Sequence, residues 1–344
     1  MRILNFGCCI LAFRLAFRYC IVPGMGGSKI FNSQNKKIWP PDNPLKIKDL
    51  DLVVNNGEIM IPKARKVGNL DSIKIDSTTS YLLTKNVYYS TMIKKLTNDK
   101  HSLFALPYDF RFSVYPQYYE SLYLEFKSFF EEQFTKSQEP FIIVCHSLGG
   151  LVFHHFLSNF VDEAWISKHI QKIYFINVPF GGTEVSLFTI LDHVYKNNLK
   201  ASTGTPIISK LSNKIKNLHL FGGLIQTLPL DIDTDIENIF ENYPKVSQNY
   251  QLFKKFHLPT RNNCLNVPIH IIYSTGKNTS ISYSVENHSL ITGDGDGLIS
   301  KRSLEYPLRT WTRNKNIQYT EIKGQDHSGI NSYFPLLEII SKNI

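Results

Sequence analysis

The 344-residue chain has only five cysteines, Cys8, Cys9, Cys20, Cys145 and Cys264, and none of them form a C-x-x-C pair. An odd number with three bunched at one end is neither a disulfide framework nor a zinc site. It fits a reducing compartment better than a secreted one. Long apolar runs are also lacking. The stretch Ile3 to Phe13 stops at Arg14, well short of the roughly 20 residues a spanning helix needs. It has the form of a signal-peptide core, but it runs almost directly into a motif that needs its own strand, so an uncleaved segment is expected. The sequons at Asn278 and Asn287 matter only for a secreted chain. Blocks of charge are missing too. Lys and Arg total 38 against 29 Asp and Glu, a net charge of +9, yet no run of five or six basic residues occurs. No zinc finger, RNA-binding signature or basic helix is present, so no nucleic-acid partner is expected. Glycine (19) and proline (16) are too few for a collagen-like or low-complexity chain, and 42% hydrophobic residues are too many for a disordered one. No fixed-period repeat is found.

What the chain does have is a series of short apolar runs, each ending in small or polar residues. Tyr19–Val22 leads into Pro23-Gly24-Met25-Gly26-Gly27-Ser28, and Leu103–Leu106 into Pro107-Tyr108-Asp109-Phe110-Arg111. Phe141–Val144 leads into Cys145-His146-Ser147-Leu148-Gly149, Ile173–Ile176 into Asn177-Val178-Pro179-Phe180-Gly181-Gly182, and Val267–Tyr273 into Ser274-Thr275-Gly276. Continuous β-branched and aromatic runs read as strands buried on both faces. Between them, Tyr118, Leu122, Phe126, Phe129, Phe130 and Phe134 recur at helical spacing over 117–134. Alternation of strand and helix predicts an α/β fold, a mostly parallel sheet with helices on both faces. Chemistry in such sheets gathers at the carboxyl ends of the strands, where these motifs fall. Residues 30–90 and 185–262 break the rhythm and read as excursions from the sheet.

Ser147 stands between a buried strand and a helix in a G-x-S-x-G-like turn, with Cys145 in the first glycine position. The turn must be sharp to lift the hydroxyl above the sheet, and the residues two before and two after must be small. The amide of Leu148, at a helix N-terminus, would face a developing oxyanion. A serine so placed needs a base and an orienting acid downstream. His327, in a short loop after the strand-like Ile317–Ile322, is the expected base. Asp294, Asp296 and Asp326 are all candidate acids, and spacing does not separate them. Weaker signals read as structural. Thr275-Gly276-Lys277 lacks the first glycine of a P-loop, Gly293–Gly297 lacks the ligands of a calcium loop, and His154-His155 reads as half core and half surface.

Together the motifs resemble the lecithin:cholesterol acyltransferase family, which includes lysosomal phospholipase A2 and phospholipid:diacylglycerol acyltransferases. Val22–Ser28 looks like that family's oxyanion loop, Pro107–Arg111 like its P-Y-D-W-R with Phe for Trp, and Cys145–Gly150 like its G-H-S-[LM]-G-G. Pro179–Thr183, Tyr273–Thr279 and Gly295–Ile299 match three further segments in order, with Leu298 in place of the usual Thr or Ser. No cysteine lies between Cys20 and Cys145, so the disulfide that extracellular members carry in the first excursion cannot form.

The resemblance implies an α/β-hydrolase fold in which Asp296 is the acid and His327 the base. It places the oxyanion amides at Leu148 and Gly26, with Met25 the alternative donor. It divides the chain into an N-terminal segment with the oxyanion-loop strand (1–29), a membrane-contacting excursion (30–90), a core with the nucleophile elbow (91–184), a cap (185–262), and a core with acid and base (263–344). Trp39, Phe221 and Leu224 become candidate substrate contacts. The implied activity is serine-dependent transfer of a fatty acyl chain from a phospholipid, or another acyl-ester lipid at a membrane surface, to an acceptor alcohol. The alternatives are a phospholipase or lipase that uses water, and an inactive lipid-binding protein. This chemistry calls for no metal and no cofactor. An intracellular, peripherally membrane-associated location is expected, with the secretory pathway as the alternative.

Overall fold

The computed structural model describes residues 16–32, 34–55, 58–60, 67–73, 89–194, 214–230, 234–284, 286, 289–311 and 316–343. The Ile3–Phe13 stretch and the Asn287 sequon lie outside the described residues.

Six strands form one sheet: β1 (Arg18–Val22), β2 (Ser102–Ala105), β3 (Phe141–His146), β4 (Ile170–Ile176), β5 (Ile269–Thr275) and, after a hairpin, β8 (Ile317–Lys323). Their order is β8-β5-β4-β3-β1-β2, and every neighbouring pair is parallel. Side chains alternate between two cores. Cys20, Val22, Ile143 and Cys145 join the larger one, and Tyr19, Ile21, Ile142 and Val144 the smaller. Both faces are covered, which is why these strands read as unbroken apolar runs instead of alternating ones.

The smaller core is closed by α1 (Ser90–Asn98), through Met92, Ile93 and Leu96, and by the last helix, α9 (Phe334–Lys342), through Leu336, Leu337 and Ile340. On the opposite face lie α2 (Pro116–Ser137) and α3 (Leu148–Asn159). Pro116 opens α2 and Gln138, in the left-handed region at φ 58°, ends it. Tyr123, Phe126 and Phe130 of α2 pack with Phe153 and Phe156 of α3. The pair His154-His155 is wholly buried (1% and 3% exposed), not half on the surface as expected. His154 stacks on Trp311 and His155 on His257, because α3 is covered on every side.

After α4 (Glu163–His169) and β4, the chain leaves the sheet through α5 (Glu184–Val194), α6 (Gly222–Gln226), α7 (Thr234–Glu241) and α8 (Pro244–Leu252). It returns at β5. An antiparallel hairpin then follows, β6 (Lys277–Ser284) with β7 (Ser289–Gly295), with a bulge between Ser280 and Ser282. It ends directly before Asp296. Among the described residues no helix is long and apolar enough to cross a membrane.

The Pro107–Arg111 segment fastens the first excursion to the core. Arg111 forms a buried two-point pair with Asp109 (Nη2–Oδ2 2.6 Å, Nε–Oδ1 2.9 Å) and donates from Nη1 to the carbonyls of Leu50 (3.0 Å) and Asp51 (3.3 Å). Asp51 in turn accepts from the Asn217 amide at 2.8 Å, joining the two excursions.

Candidate active site

β3 ends at His146 and α3 begins at Leu148, which leaves Ser147 alone to make the turn. Its backbone takes φ 55°, ψ −133°, a conformation costing a non-glycine residue about 1–3 kcal/mol. The surroundings enforce it. The Ser147 amide donates to the Ile176 carbonyl (3.0 Å), and its own carbonyl accepts from Gly150 N (2.9 Å). The crossing of strand and helix is too close for side chains. A Cβ on Gly149 would meet the main-chain oxygens of Pro23 and Val22 (2.6 Å for the latter), and one on Gly150 would meet Val178 Cγ1 at 2.7 Å. Cys145 is fully buried, and burial pushes its thiol well up from the usual range. It packs in the core, and a thiol so held is a poor nucleophile.

Two residues far away in sequence meet Ser147. His327 Nε2 lies 2.9 Å from Ser147 Oγ, and His327 Nδ1 lies 2.6 Å from Asp296 Oδ2. The carboxylate orients the ring: with Nδ1–H donating to Asp296, Nε2 is left to accept from the serine hydroxyl. Asp296 is fully buried (0% exposed), and its other oxygen accepts from the amides of Leu298 (2.9 Å) and Ile299 (2.7 Å). Both oxygens of this buried carboxylate therefore have hydrogen-bond partners.

The other candidate acids have different partners. Asp294 Oδ1 accepts from Gly276 N at 2.6 Å, and Asp326 Oδ1 accepts from the amides of Ser328 (3.1 Å) and Gly329 (2.7 Å). Both brace turns next to the site.

The Pro23–Ser28 loop lies against the elbow. Gly27 N bonds Gly24 O at 2.9 Å, and Gly26 occupies the left-handed region at φ +77°, so this is a tight turn that suits glycine. Trp39 Nε1 donates to the Gly26 carbonyl at 2.7 Å. Phe221 directly precedes the short helix α6 and Leu224 lies within it, and Gly223 of α6 donates to the Phe110 carbonyl at 2.8 Å. A Cβ on Gly223 would meet both Leu148 Cδ2 (2.9 Å) and Met25 Cε (3.0 Å). Leu148, Met25 and α6 therefore converge on one spot. Trp39, Phe221 and Leu224 are 3%, 2% and 5% exposed, and Phe110 packs between the rings of Trp39 and Phe221.

Three further residues meet at the site, none of them a candidate site residue from the sequence. His146 Nε2 is 2.9 Å from the His327 carbonyl, Asn177 Nδ2 is 3.4 Å from the same oxygen, and Tyr89 Oη is 3.1 Å from His146 Nδ1. His146 lies within the elbow motif but reads there as spacing. Asn177 shows itself only as the residue ending an apolar run, and Tyr89 only as an aromatic beside a helix.

An all-parallel sheet that presents a serine on a strand-to-helix turn, within reach of a histidine from the far edge strand's loop, defines the α/β-hydrolase fold. Within that class, the model of the lecithin:cholesterol acyltransferase family matches residues 36–205 of the chain. The chain is 22% identical over 368 residues to the phosphatidylcholine-sterol acyltransferase of Gallus gallus, covering 90% of this chain and 86% of that one. It is 23% identical over 242 residues to the lysosomal phospholipase A and acyltransferase of Canis lupus familiaris, covering 63% of this chain and 57% of that one. Lecithin-cholesterol acyltransferase-like 1 of Arabidopsis thaliana is 26% identical over 279 residues, with 72% of this chain and 61% of that one covered. Among solved structures, the mature Bacillus licheniformis lipase BlEst2 superposes with a TM-score of 0.42 at 10% identity, covering 94% of this chain and 91% of that one. At that score the likeness adds nothing to the topology above. The protein is an enzyme of the acyltransferase or ester-hydrolase kind.

Proposed function

We propose that the protein is a serine-dependent lipid O-acyltransferase that takes a fatty acyl chain from a phospholipid and gives it to an acceptor alcohol through an ester on Ser147. The observation that carries this reading is the pair of distances about His327, 2.9 Å to the Ser147 hydroxyl and 2.6 Å to the Asp296 carboxylate. Ser147 Oγ attacks the acyl carbonyl as its proton passes to His327 Nε2, and Asp296 steadies the imidazolium. The amides of Leu148 and Gly26, or Met25 in place of Gly26, hold the oxyanion. The imidazolium returns its proton to the departing lysophospholipid oxygen, leaving the acyl-enzyme. An acceptor hydroxyl then gives its proton to Nε2, attacks the serine ester and leaves as the new ester, with the proton back on Ser147.

The phospholipid donor is suggested by the names of the relatives, which pair acyltransferase with phosphatidylcholine and phospholipase. The same intermediate resolved by water gives a phospholipase, and product analysis separates the two. Purified protein is incubated with phosphatidylcholine vesicles, with and without a long-chain alcohol. Acyl transfer predicts an alkyl ester of the alcohol at the expense of free fatty acid, and Ser147→Ala yields neither. Fatty acid alone, whatever the alcohol concentration, assigns hydrolysis. A folded wild-type protein that releases nothing and fails to react with a fluorophosphonate removes both activities.

A further inference from the structure

Behind the candidate active site runs a buried chain of hydrogen bonds that uses neither the nucleophile nor the ring of the base. Tyr89, 2% exposed and directly preceding α1, accepts from Gly24 N at 2.8 Å and lies 3.1 Å from His146 Nδ1. His146 Nε2 faces the main-chain oxygen of His327 at 2.9 Å. A carbonyl can only accept, so Nε2 carries the ring proton and Nδ1 has a free lone pair. The direction of the chain follows: Gly24 N–H to Tyr89 Oη, Tyr89 O–H to His146 Nδ1, His146 Nε2–H to His327 O. The His327 carbonyl receives a second donor, Asn177 Nδ2 at 3.4 Å. Asn177 is itself clamped by Ser274, which accepts from Nδ2 at 2.8 Å and donates its amide to Oδ1 at 2.8 Å.

We infer that Tyr89 is a positioning residue for acyl transfer, fastening the loop that carries the base to the loop that carries the oxyanion amides by way of His146. The inference rests on the serine mechanism proposed above. Those two loops come from opposite sides of β3, and the reaction needs both within about 0.5 Å of their productive places. Gly24 sits two residues before Gly26, and its Cβ position is already filled by the Ser147 side chain (2.9 Å), so a shift of this loop is felt at the nucleophile. Burial, helped by nearby His327, holds the His146 imidazole neutral and pushes its pKa down to about 3. The tautomer that links the loops is therefore the resting one at any working pH. The simpler role for Tyr89 is as a core ring beside Gly27 (3.1 Å from its would-be Cβ). Tyr89→Phe keeps that ring and removes only the link.

The test compares wild type, Tyr89→Phe, His146→Gln and the double variant. For each, active sites are titrated with a fluorophosphonate, and labelling rate and turnover of a short-chain aryl ester are measured per titrated site. Glutamine keeps a donor near the Nε2 position and loses the acceptor for Tyr89. The inference expects labelling rate and kcat per active site to fall about tenfold in Tyr89→Phe with KM within twofold. It also expects the double variant to be no slower than His146→Gln alone, because the tyrosine acts through the histidine. A structural role would lower the number of titrated sites and leave the rate of each unchanged. Wild-type rates per site in Tyr89→Phe, or additive losses in the double variant, overturn the inference. If folded wild type takes no label, the serine mechanism fails and the positioning role with it.

Discussion

His327 and Asp296 are tied twice, side chain to side chain at 2.6 Å and main chain to main chain, where the His327 amide donates to the Asp296 carbonyl at 2.8 Å. The loop after β8 and the turn after β7 are thus joined at two points, and the carboxylate cannot part from the imidazole without breaking both links.

That double tie sets what an asparagine does at position 296. Its oxygen still accepts from the amides of Leu298 and Ile299, so the turn survives. Its NH2 group now faces His327 Nδ1 and, as a donor, favours the tautomer with the proton on Nε2, which cannot take the serine proton. Asp296→Asn should therefore lower kcat by about 10⁴ with little change in melting temperature. Asp294→Asn keeps the acceptor for Gly276 N and should leave kcat within a few-fold. Comparable losses in both variants, measured on an aryl ester, would contradict the assignment of the acid.

The central strands were readable because they are buried on both faces, so a run such as Phe141–Val144 admits few other interpretations. The sharp turn at Ser147 was readable because its glycines answer to close contacts, with the Val22–Pro23 main chain at Gly149 and the Val178 side chain at Gly150. The β6–β7 hairpin was not. Lys277–Ser284 is largely polar, and its strand partner is the adjacent β7, so it offers no apolar run. The acid was ambiguous for the same reason: Asp294 and Asp296 differ only in that one lies inside the hairpin ladder and the other just past it. Tyr89 lay beyond local reading altogether, since its partners Gly24 and His146 are 65 and 57 residues away. In Pro107–Arg111 the residue types suggest chemistry, yet Arg111 and Asp109 spend their polar atoms on each other and on the first excursion.

The two glycines at positions 149 and 150, just after Ser147, should answer differently to alanine. At Gly149 the obstruction is the main chain of Val22 and Pro23, which cannot turn aside without moving β1. At Gly150 it is the Val178 side chain, which can be trimmed. Overpacking of this kind costs about 1–3 kcal/mol, and more where backbone is in the way. Urea unfolding should show Gly149→Ala as the more damaging of the two, and Val178→Ala should recover stability in Gly150→Ala but not in Gly149→Ala. Equal rescue of both would show that the strand–helix contact is softer than its geometry.

Arg111 anchors the first excursion through two backbone carbonyls and one buried carboxylate. Removing the guanidinium leaves Asp109 charged and buried (7% exposed), a change that costs about 3–5 kcal/mol. Arg111→Lys restores charge but cannot reach Asp109 and Leu50 together with a single ammonium. Limited proteolysis should cut both variants within residues 40–60 before the central sheet, and wild type much more slowly. Unaltered cleavage in Arg111→Ala would mean that the excursion is held by other contacts.

Acid should unfold the protein sooner than its carboxylates alone predict. Among the described residues burial pushes several histidines down: His146 and His154 to about 3, His155 and His219 to about 4, and His257 well below its ordinary value. In the unfolded chain each takes up a proton near pH 6.5. Between that pH and the folded values the unfolded state binds more protons, so stability falls as pH falls. The contribution of these groups is complete above about pH 6.5 and is lost progressively toward pH 3–4, at about 1.4 kcal/mol per pH unit for each fully titrating histidine. Urea titrations between pH 5 and 6, above most of the carboxylate range, should therefore show unfolding accompanied by uptake of several protons. Uptake of fewer than one would place these imidazoles in contact with water.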